Sequence, residues 1–382
     1  MDSQLTAGGE AVRILQIANG YCDSKLYSLL FAKLESVGID SRVFVPVKIG
    51  AAVPPDEKVD IVPCFSQVDR LSFYTKQRKL LREIDARHYL EDGVSVVHAH
   101  TLFSAGYTAQ RLHREYGLPY IVAVRNTDVN VFFKYMVHLR RVGVRIMQDA
   151  HRVVFLSPAY REQVLNTYVP KALQQAIRQK SVVIPNGIDD YFLKNRPQLR
   201  KAAAKPLNLL YAGDLDTNKN LELTIQAVRL LREQGVEVTF TVVGQILEEK
   251  YRKLIEETHF ITYYPRCDKE GVLEHLRQSD IFVMPSHAET FGLVYAEAMS
   301  QGVPVLYTRG QGFDGQFPEG TVGYAVSDTD PAELAEKILQ ITAEYPNLSE
   351  GCLANVQRFD WHRIAEEYKT IYQSAVKEKG EC

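Results

Sequence analysis

The sequence predicts an α/β protein built from two doubly wound domains in tandem. Three observations carry that prediction. Short, almost continuously apolar runs alternate with amphipathic stretches, as parallel strands covered on both faces by helices should. The alternation stops at a Lys-, Arg-, Ala- and Pro-rich segment near residue 200 and then restarts. The chain has 382 residues, more than one compact domain ordinarily holds.

The first strand is VRILQIA, residues 12–18, ending at Asn19-Gly20. A helix follows with Leu26, Leu30, Leu34 and Val37 on one face, and Gly38 stops it. SRVFVPV, VSVVHAH, PYIVAVR, HRVVFLS and SVVIP read as further strands, with helices near 68–90, 103–116 and 130–148. Residues 191–208 have little apolar content and read as a linker. LNLLYAG, VEVTFTVVG, HFITYY, DIFVMPS and VPVLYT are the strands of the second half. Between the first two of these lies a helix with Leu221, Ile225, Val228 and Leu231 inward. An amphipathic helix, FDWHRIAEEYKTIYQSAV, follows the last strand region. Ligands of such sheets bind outside the carboxyl ends of the strands, so two facing domains should hold a ligand in a central cleft.

Composition narrows the function classes. With 46% hydrophobic and 24% charged residues, the chain is an ordinary globular protein. Its five cysteines are scattered, with no C-x-x-C pair, which argues against a disulfide framework or a zinc site. No apolar run reaches the roughly 20 residues needed to span a bilayer. The N-terminus lacks a signal-peptide pattern, so a cytoplasmic location is expected. Charge is unevenly placed: residues 1–200 carry 27 basic and 19 acidic groups, and the remainder 18 and 28. The basic half either faces an anionic partner, such as the inner face of a membrane, or is simply solvated surface. The stretches 73–82 and 132–145, both basic and aromatic, carry the same two readings.

Residues 285–305, PSHAETFGLVYAEAMSQGVPV, hold the most chemistry. A buried strand ends at Pro285-Ser286, and a helix is expected from about Phe291 to Gly302. Gly292 keeps the first turn open, so the N–H groups of Phe291, Gly292, Leu293 and Val294 can point at a phosphate or diphosphate. Glu289 precedes the helix and Glu297 lies inside it. Ionised carboxylates accept hydrogen bonds from vicinal hydroxyls, so the pair suits the two sugars flanking a diphosphate. The competing reading is that both merely complement the helix dipole on a solvated surface.

This segment resembles the E-x7-E signature of the retaining GT-B glycosyltransferases of family 4. IPNGID at 184–189, LLYAGDLDTNKN at 209–220, FTVVG at 240–244 and FDWHRIAEEY at 359–368 resemble further landmarks of that family, in the right order along nearly the whole chain. The resemblance implies an acceptor-side Rossmann-like domain at 1–195 and a donor-binding one at 196–357. A final helix at 358–382, with Trp361, would cross back to the first domain. It implies transfer of a hexose from a nucleotide diphosphate sugar to a hydroxyl of a glycan or lipid-linked acceptor, in polysaccharide or glycolipid synthesis. Glu289 would contact the transferred sugar and Glu297 the ribose. Gly213 and Thr290 would line the donor, and Lys219 and the amides of Phe291 to Val294 would meet its phosphates. No metal, no cofactor beyond the substrate and no nucleic-acid partner are implied.

The chain also departs from that family. Asp214 replaces the usual arginine after Gly213, so one phosphate-binding cation is missing or comes from elsewhere. Arg125-Asn126-Thr127-Asp128 stands where a histidine motif is common, and the double glycine is reduced to Asn19-Gly20. Gly20, His100, Arg125 and Asp128 are the acceptor-side candidates, and Arg266-Cys267 falls in the base-contacting loop. His98 and His100 read as a packed or hydrogen-bonded pair. GQGFDG, residues 310–315, follows a strand but opens no helix, so it reads as a flexible loop beside the donor and not a dinucleotide fingerprint. A calcium loop at 214–225 fails at Lys219 and Ile225. Two other readings remain open: a sugar-nucleotide epimerase or hydrolase, and a non-catalytic partner subunit.

Overall fold

A computed structural model describes residues 6–7, 10–23, 25–91, 93–197, 199 and 202–380. The chain divides into two units. The first comprises Met1–Leu156, Arg161–Pro185 and Trp361–Cys382; the second comprises Ser157–Tyr160 and Asn186–Asp360.

In the first unit, β1 (Thr6–Ala7) and β2 (Glu10–Ala11) form a short antiparallel ladder. Then come β3 (Arg13–Ile17), α1 (Leu26–Ser36), β4 (Asp40–Lys48), β5 (Asp60–Phe65), α2 (Phe73–Ala86), β6 (Val94–Ala99) and α3 (Gly106–Tyr116). They are followed by β7 (Tyr120–Val124), α4 (Arg140–Asp149), β8 (Arg152–Phe155), α5 (Pro158–Tyr168), α6 (Lys171–Lys180) and β9 (Ser181–Val183). The seven strands form a parallel sheet in the order β5-β4-β3-β6-β7-β8-β9. Their β-branched runs suit a pleated surface buried on both sides. Ile14, Val96, Ile121, Ala123 and Val154 share one face. On the other, α3 lies so close that a Cβ at Gly106 would stand 2.9 Å from Val122.

The second unit contains α7 (Asp190–Lys194), β10 (Leu207–Ala212), α8 (Leu221–Glu233), β11 (Val238–Val243), α9 (Lys250–Glu256), β12 (Ile261–Tyr264) and α10 (Lys269–Gln278). It continues with β13 (Ile281–Val283), α11 (Leu293–Ser300), β14 (Val305–Thr308), β15 (Gly323–Val326) and α12 (Pro331–Asn355). Its six strands are again parallel, ordered β12-β11-β10-β13-β14-β15. The last helix, α13 (Trp361–Gly380), belongs to the first unit. Trp361, Ile364, Ala365, Tyr368, Ile371, Tyr372 and Ala375 are buried in the core that α1 also covers.

Several expectations are corrected. Strands β5 and β15 went unseen, and both lie at sheet edges. Pro63 disguises β5; an edge strand tolerates it because one row of backbone groups needs no partner. β15 has only four residues and opens on Gly323, where a Cβ would stand 1.8 Å from the Val305 carbonyl oxygen. The segment after 190 is not linker throughout. Asp189 caps α7 through Tyr191 N at 2.8 Å, and Phe192 is buried. The two compact units divide after Pro185. Cys22, Cys64, Cys267 and Cys352 form no disulfide, and Cys382 lies outside the described residues.

The histidine pair ties α13 to the sheet. His98 Nδ1 lies 2.7 Å from the Tyr372 hydroxyl, and Gln16 donates to that hydroxyl at 3.3 Å. The other amide atom of Gln16 bonds His100 Nε2 at 2.8 Å. Tyr372→Phe keeps the ring and strands a buried imidazole, which should cost about 1–3 kcal/mol in denaturant unfolding. Ile364→Ala, which opens a cavity under the same helix, should cost about 2–5 kcal/mol.

Candidate functional site

In both sheets the strand order reverses at one crevice, and loops leaving the two strands there diverge. In the second unit the crevice lies between β10 and β13. The β10 loop carries Gly213, Asp214 and Lys219; the β13 loop carries Glu289 and leads into α11.

Two asparagines join these loops. Asn218 accepts from Ala288 N and donates to Ala288 O, both at 3.0 Å, and its carbonyl accepts from His287 N at 2.8 Å. Asn220 adopts a left-handed conformation, φ 56°, and donates to Pro285 O at 3.0 Å and Asp328 O at 2.8 Å. Asn tolerates that conformation better than most residues. Between them, Lys219 Nζ meets Glu289 Oε2 at 2.7 Å, with the side chains only 22% and 13% exposed.

Glu289 is held from every side. Its N–H donates to Gln311 Oε1 at 3.0 Å, and its carbonyl accepts from Gly312 N at 2.6 Å. Its Oε1 accepts from Phe291 N at 3.4 Å. The loop 310–315 is therefore not a loose neighbour but a clamp on the Glu289 backbone. Gly312 makes this approach possible, since a Cβ there would stand 2.0 Å from the Thr290 carbonyl carbon. The helix itself starts at Leu293, two residues later than expected. Gly292, at φ +75°, leads into it, and a Cβ would also strike Tyr295 at 2.4 Å. Phe291 N is engaged by Glu289, so the amides left for an anion are those of Gly292, Leu293 and Val294 in the first turn.

Glu297 lies on α11, half-buried, and no hydrogen bond reaches its carboxylate among the described residues. Burial pushes its carboxyl up to about 7, and the Asp189 carboxylate adds to the effect. In the β12–α10 loop, Arg266 Nη2 stands 3.0 Å from Asp214 Oδ1. The loop carrying Arg266 is thus paired with the Asp214 carboxylate of the β10 loop. Burial, then Asp268, raises the thiol pKa of the neighbouring Cys267. Gly213 continues β10 through its bond to Val243 O at 2.9 Å.

The acceptor-side candidates lie in the first unit and divide into two groups. Gly20 lines a cavity. Arg125, half-buried, donates to His100 O at 3.4 Å. His100 is fully buried and bonded to Gln16, so it presents no exposed atom to an acceptor. Burial, His98 and Arg125 hold its pKa well below the usual imidazole value. Asp128 accepts from Leu102 N, Phe103 N and Arg125 N at 2.9, 3.0 and 2.9 Å. It organises loops, though burial still pushes its carboxyl up to about 6. Asn218, Asn220 and Gln311 were missed by sequence reasoning; the nearest signal was Asn-Lys-Asn at the head of α8.

The Glu297 shift has a stability consequence with a definite sign. The folded pKa exceeds the unfolded value, so the contribution is present below about 4.5 and lost as pH rises through about 7. Glu297→Gln should therefore raise the thermal midpoint relative to wild type more at pH 8 than at pH 5, read by calorimetry.

The family described as Glycosyl transferases group 1 matches residues 194–356, and Glycosyltransferase Family 4 matches residues 30–191. The D-inositol 3-phosphate glycosyltransferase of Arthrobacter sp. (strain FB24) is 26% identical over 305 residues, 74% of this chain and 70% of that protein. The sucrose-phosphate synthase of Thermosynechococcus elongatus superposes with a TM-score of 0.69 at 20% identity, covering 95% of this chain and 98% of that one. Anabaena HepE, in complex with UDP and glucose, gives 0.65 at 17% identity, covering 95% and 100%. The chain belongs to the group 1, or family 4, glycosyltransferases, and its two Rossmann-like units are those of the GT-B fold.

Proposed function

We propose that this glycosyltransferase is a retaining hexosyltransferase that takes its sugar from a nucleotide diphosphate donor. The observation that carries the reading is the Lys219–Glu289 pair at the start of α11, in the crevice between β10 and β13. One cation and a row of helix N-terminal amides suit a diphosphate. An arriving diphosphate competes for Lys219 and leaves Glu289 to accept hydrogen bonds from the hexose hydroxyls. Glu297, when ionised, accepts from the ribose. Arg266 supplies the second positive charge from the neighbouring loop.

The reaction breaks the bond between the sugar C1 and the diphosphate oxygen. The acceptor oxygen bonds to C1 on the same face, and its proton passes to a donor phosphate oxygen. Lys219, Arg266 and the α11 amides stabilise charge growing on the leaving diphosphate. No resident metal and no further cofactor take part.

Glu289→Gln keeps shape and removes charge. Turnover should fall by a larger factor than nucleotide affinity, measured by product NMR and by thermal shift with UDP-, GDP- and ADP-sugars in EDTA. The HepE neighbour is described with UDP, so uridine donors come first. A donor at about 100 times its dissociation constant should add about 2.7 kcal/mol of stability. Unchanged turnover removes the role of Glu289; a product of inverted configuration removes the retaining mechanism; no shift with any donor favours a non-catalytic subunit.

The acceptor in this reading is a glycan or lipid-linked molecule, reached by a peripheral protein at the inner membrane face. No described helix is long and apolar enough to cross a membrane. Arg78, Arg82, Lys134, Arg141 and Arg145 are exposed on the two basic stretches, as surface attraction to anionic lipid requires. Flotation with phosphatidylserine-containing vesicles should recover the protein at low salt and lose it at high salt. Recovery with neutral vesicles alone contradicts an electrostatic contact.

A further inference from the structure

The first unit has its own switch-point crevice, between β3 and β6. Asn19 follows β3 and Thr101 follows β6. Both amide atoms of Asn19 and the hydroxyl of Thr101 are buried without a hydrogen-bond partner. Such groups each cost about 1–3 kcal/mol when left unmet, so a cluster of three such atoms beside a cavity marks a place where water or a ligand hydroxyl is held.

These residues line one end of a cavity of about 580 Å³, with Gly20 beside them. Phe65, Phe73, Val131, Phe132 and Met136 give its wall an apolar side, shared with polar residues such as Gln77, Ser104 and Thr127. Next to lining residues in sequence, Val68, Tyr74, Tyr135 and Val137 are exposed, Val68 to 72% and Tyr135 to 69%. One cavity thus joins unmet polar atoms to apolar side chains, and exposed apolar residues neighbour the latter along the chain.

Both carboxylates of the lining are occupied, and His138, which also lines it, is exposed to solvent. Asp69 is bonded to Lys79 at 2.7 Å and to Ser66. Asp128 is taken by three amides. Lys76 lies over the Phe65 ring at 4.3 Å. The groups with unmet hydrogen bonds are a neutral amide and a neutral hydroxyl, which match hydroxyls better than phosphate.

We propose that this cavity is the acceptor subsite, and that it takes an amphipathic acceptor: a neutral hydroxylated head between Asn19 and Thr101, and a hydrocarbon chain along Phe65, Phe73 and Phe132 toward Val131. The inference rests on the glycosyl-transfer reading and names the acceptor class of that reaction.

The test uses the full chain and n-alkyl β-glucosides, ethyl to octyl, below their micelle concentrations, with binding read by calorimetry. Affinity should rise up to about fourfold per methylene while the chain lines the wall, the transfer value for a buried CH₂. Phe73→Gln should flatten that slope. Val131→Gln, at a 40% exposed position that folding tolerates, should flatten its long-chain end. Asn19→Ala should weaken every chain length by a similar factor, about fivefold to tenfold. Affinity independent of chain length, or a slope unchanged in both wall variants, overturns the inference. So does tighter binding of glucose 6-phosphate than of octyl glucoside. A protein that binds nucleotide sugar but fails these tests loses only the acceptor class. One that binds the alkyl series but no nucleotide sugar loses the transfer reading instead.

Discussion

The geometry of the second unit's site depends on the side chain of Asn220. A parallel sheet sends its loops out side by side but gives them no ladder to share once the strands have ended. Asn220 replaces that ladder by donating both amide protons, one to Pro285 O and one to Asp328 O. Its left-handed backbone turns the chain so that Lys219 projects back toward Glu289. Two donors on one short side chain, with the residue tolerant of positive φ, is a combination that Gln or Ser cannot provide. The Asn218 bonds to Ala288 and the Gln311 and Gly312 bonds to Glu289 complete the frame. A carboxylate anchored this way loses little freedom when a substrate arrives, which is the physical content of preorganisation.

What was legible in the sequence was what periodicity encodes. The central strands of both sheets are buried on two faces, so their apolar runs stand out. The edge strands β5 and β15 carry Pro63 and Gly323, residues that a central strand would penalise and an edge permits. Glu289, Glu297 and Gly292 stand out at one strand-to-helix junction, whereas Lys219 stands out only through the family resemblance; the structure brings Lys219 and Glu289 together. The asparagines and Gln311 could not be found that way, because their partners are backbone atoms about 65 to 108 positions distant, or a loop whose glycines suggested looseness. For His100 and Asp128 the sequence could not show where the side chains turn: the structure bonds them inward, to Gln16 and to three amides.

The two units handle buried polarity differently. In the second, charge is concentrated at the crevice and balanced across it by Lys219 with Glu289 and Arg266 with Asp214. In the first, the crevice atoms without a partner, on Asn19 and Thr101, are neutral, and the nearby imidazoles are kept uncharged by burial. The two crevices thus differ in the charge of their side chains, although both sheets reverse strand order in the same way.

The last helix gives the chain an order of assembly. Domains commonly fold from the N-terminus as they leave the ribosome. Here the core of the first unit includes Trp361, Ile364, Tyr368 and Tyr372, which are made only after the whole second unit. During synthesis the face of the first sheet beside α1 must wait, with Ile14, Val96 and Ile121 uncovered, for about 175 intervening residues to be translated. The second unit, Asn186–Asp360 with Ser157–Tyr160 made earlier in the chain, is complete before that helix emerges and can close first. The half of the protein that begins the chain is thus the half that finishes folding.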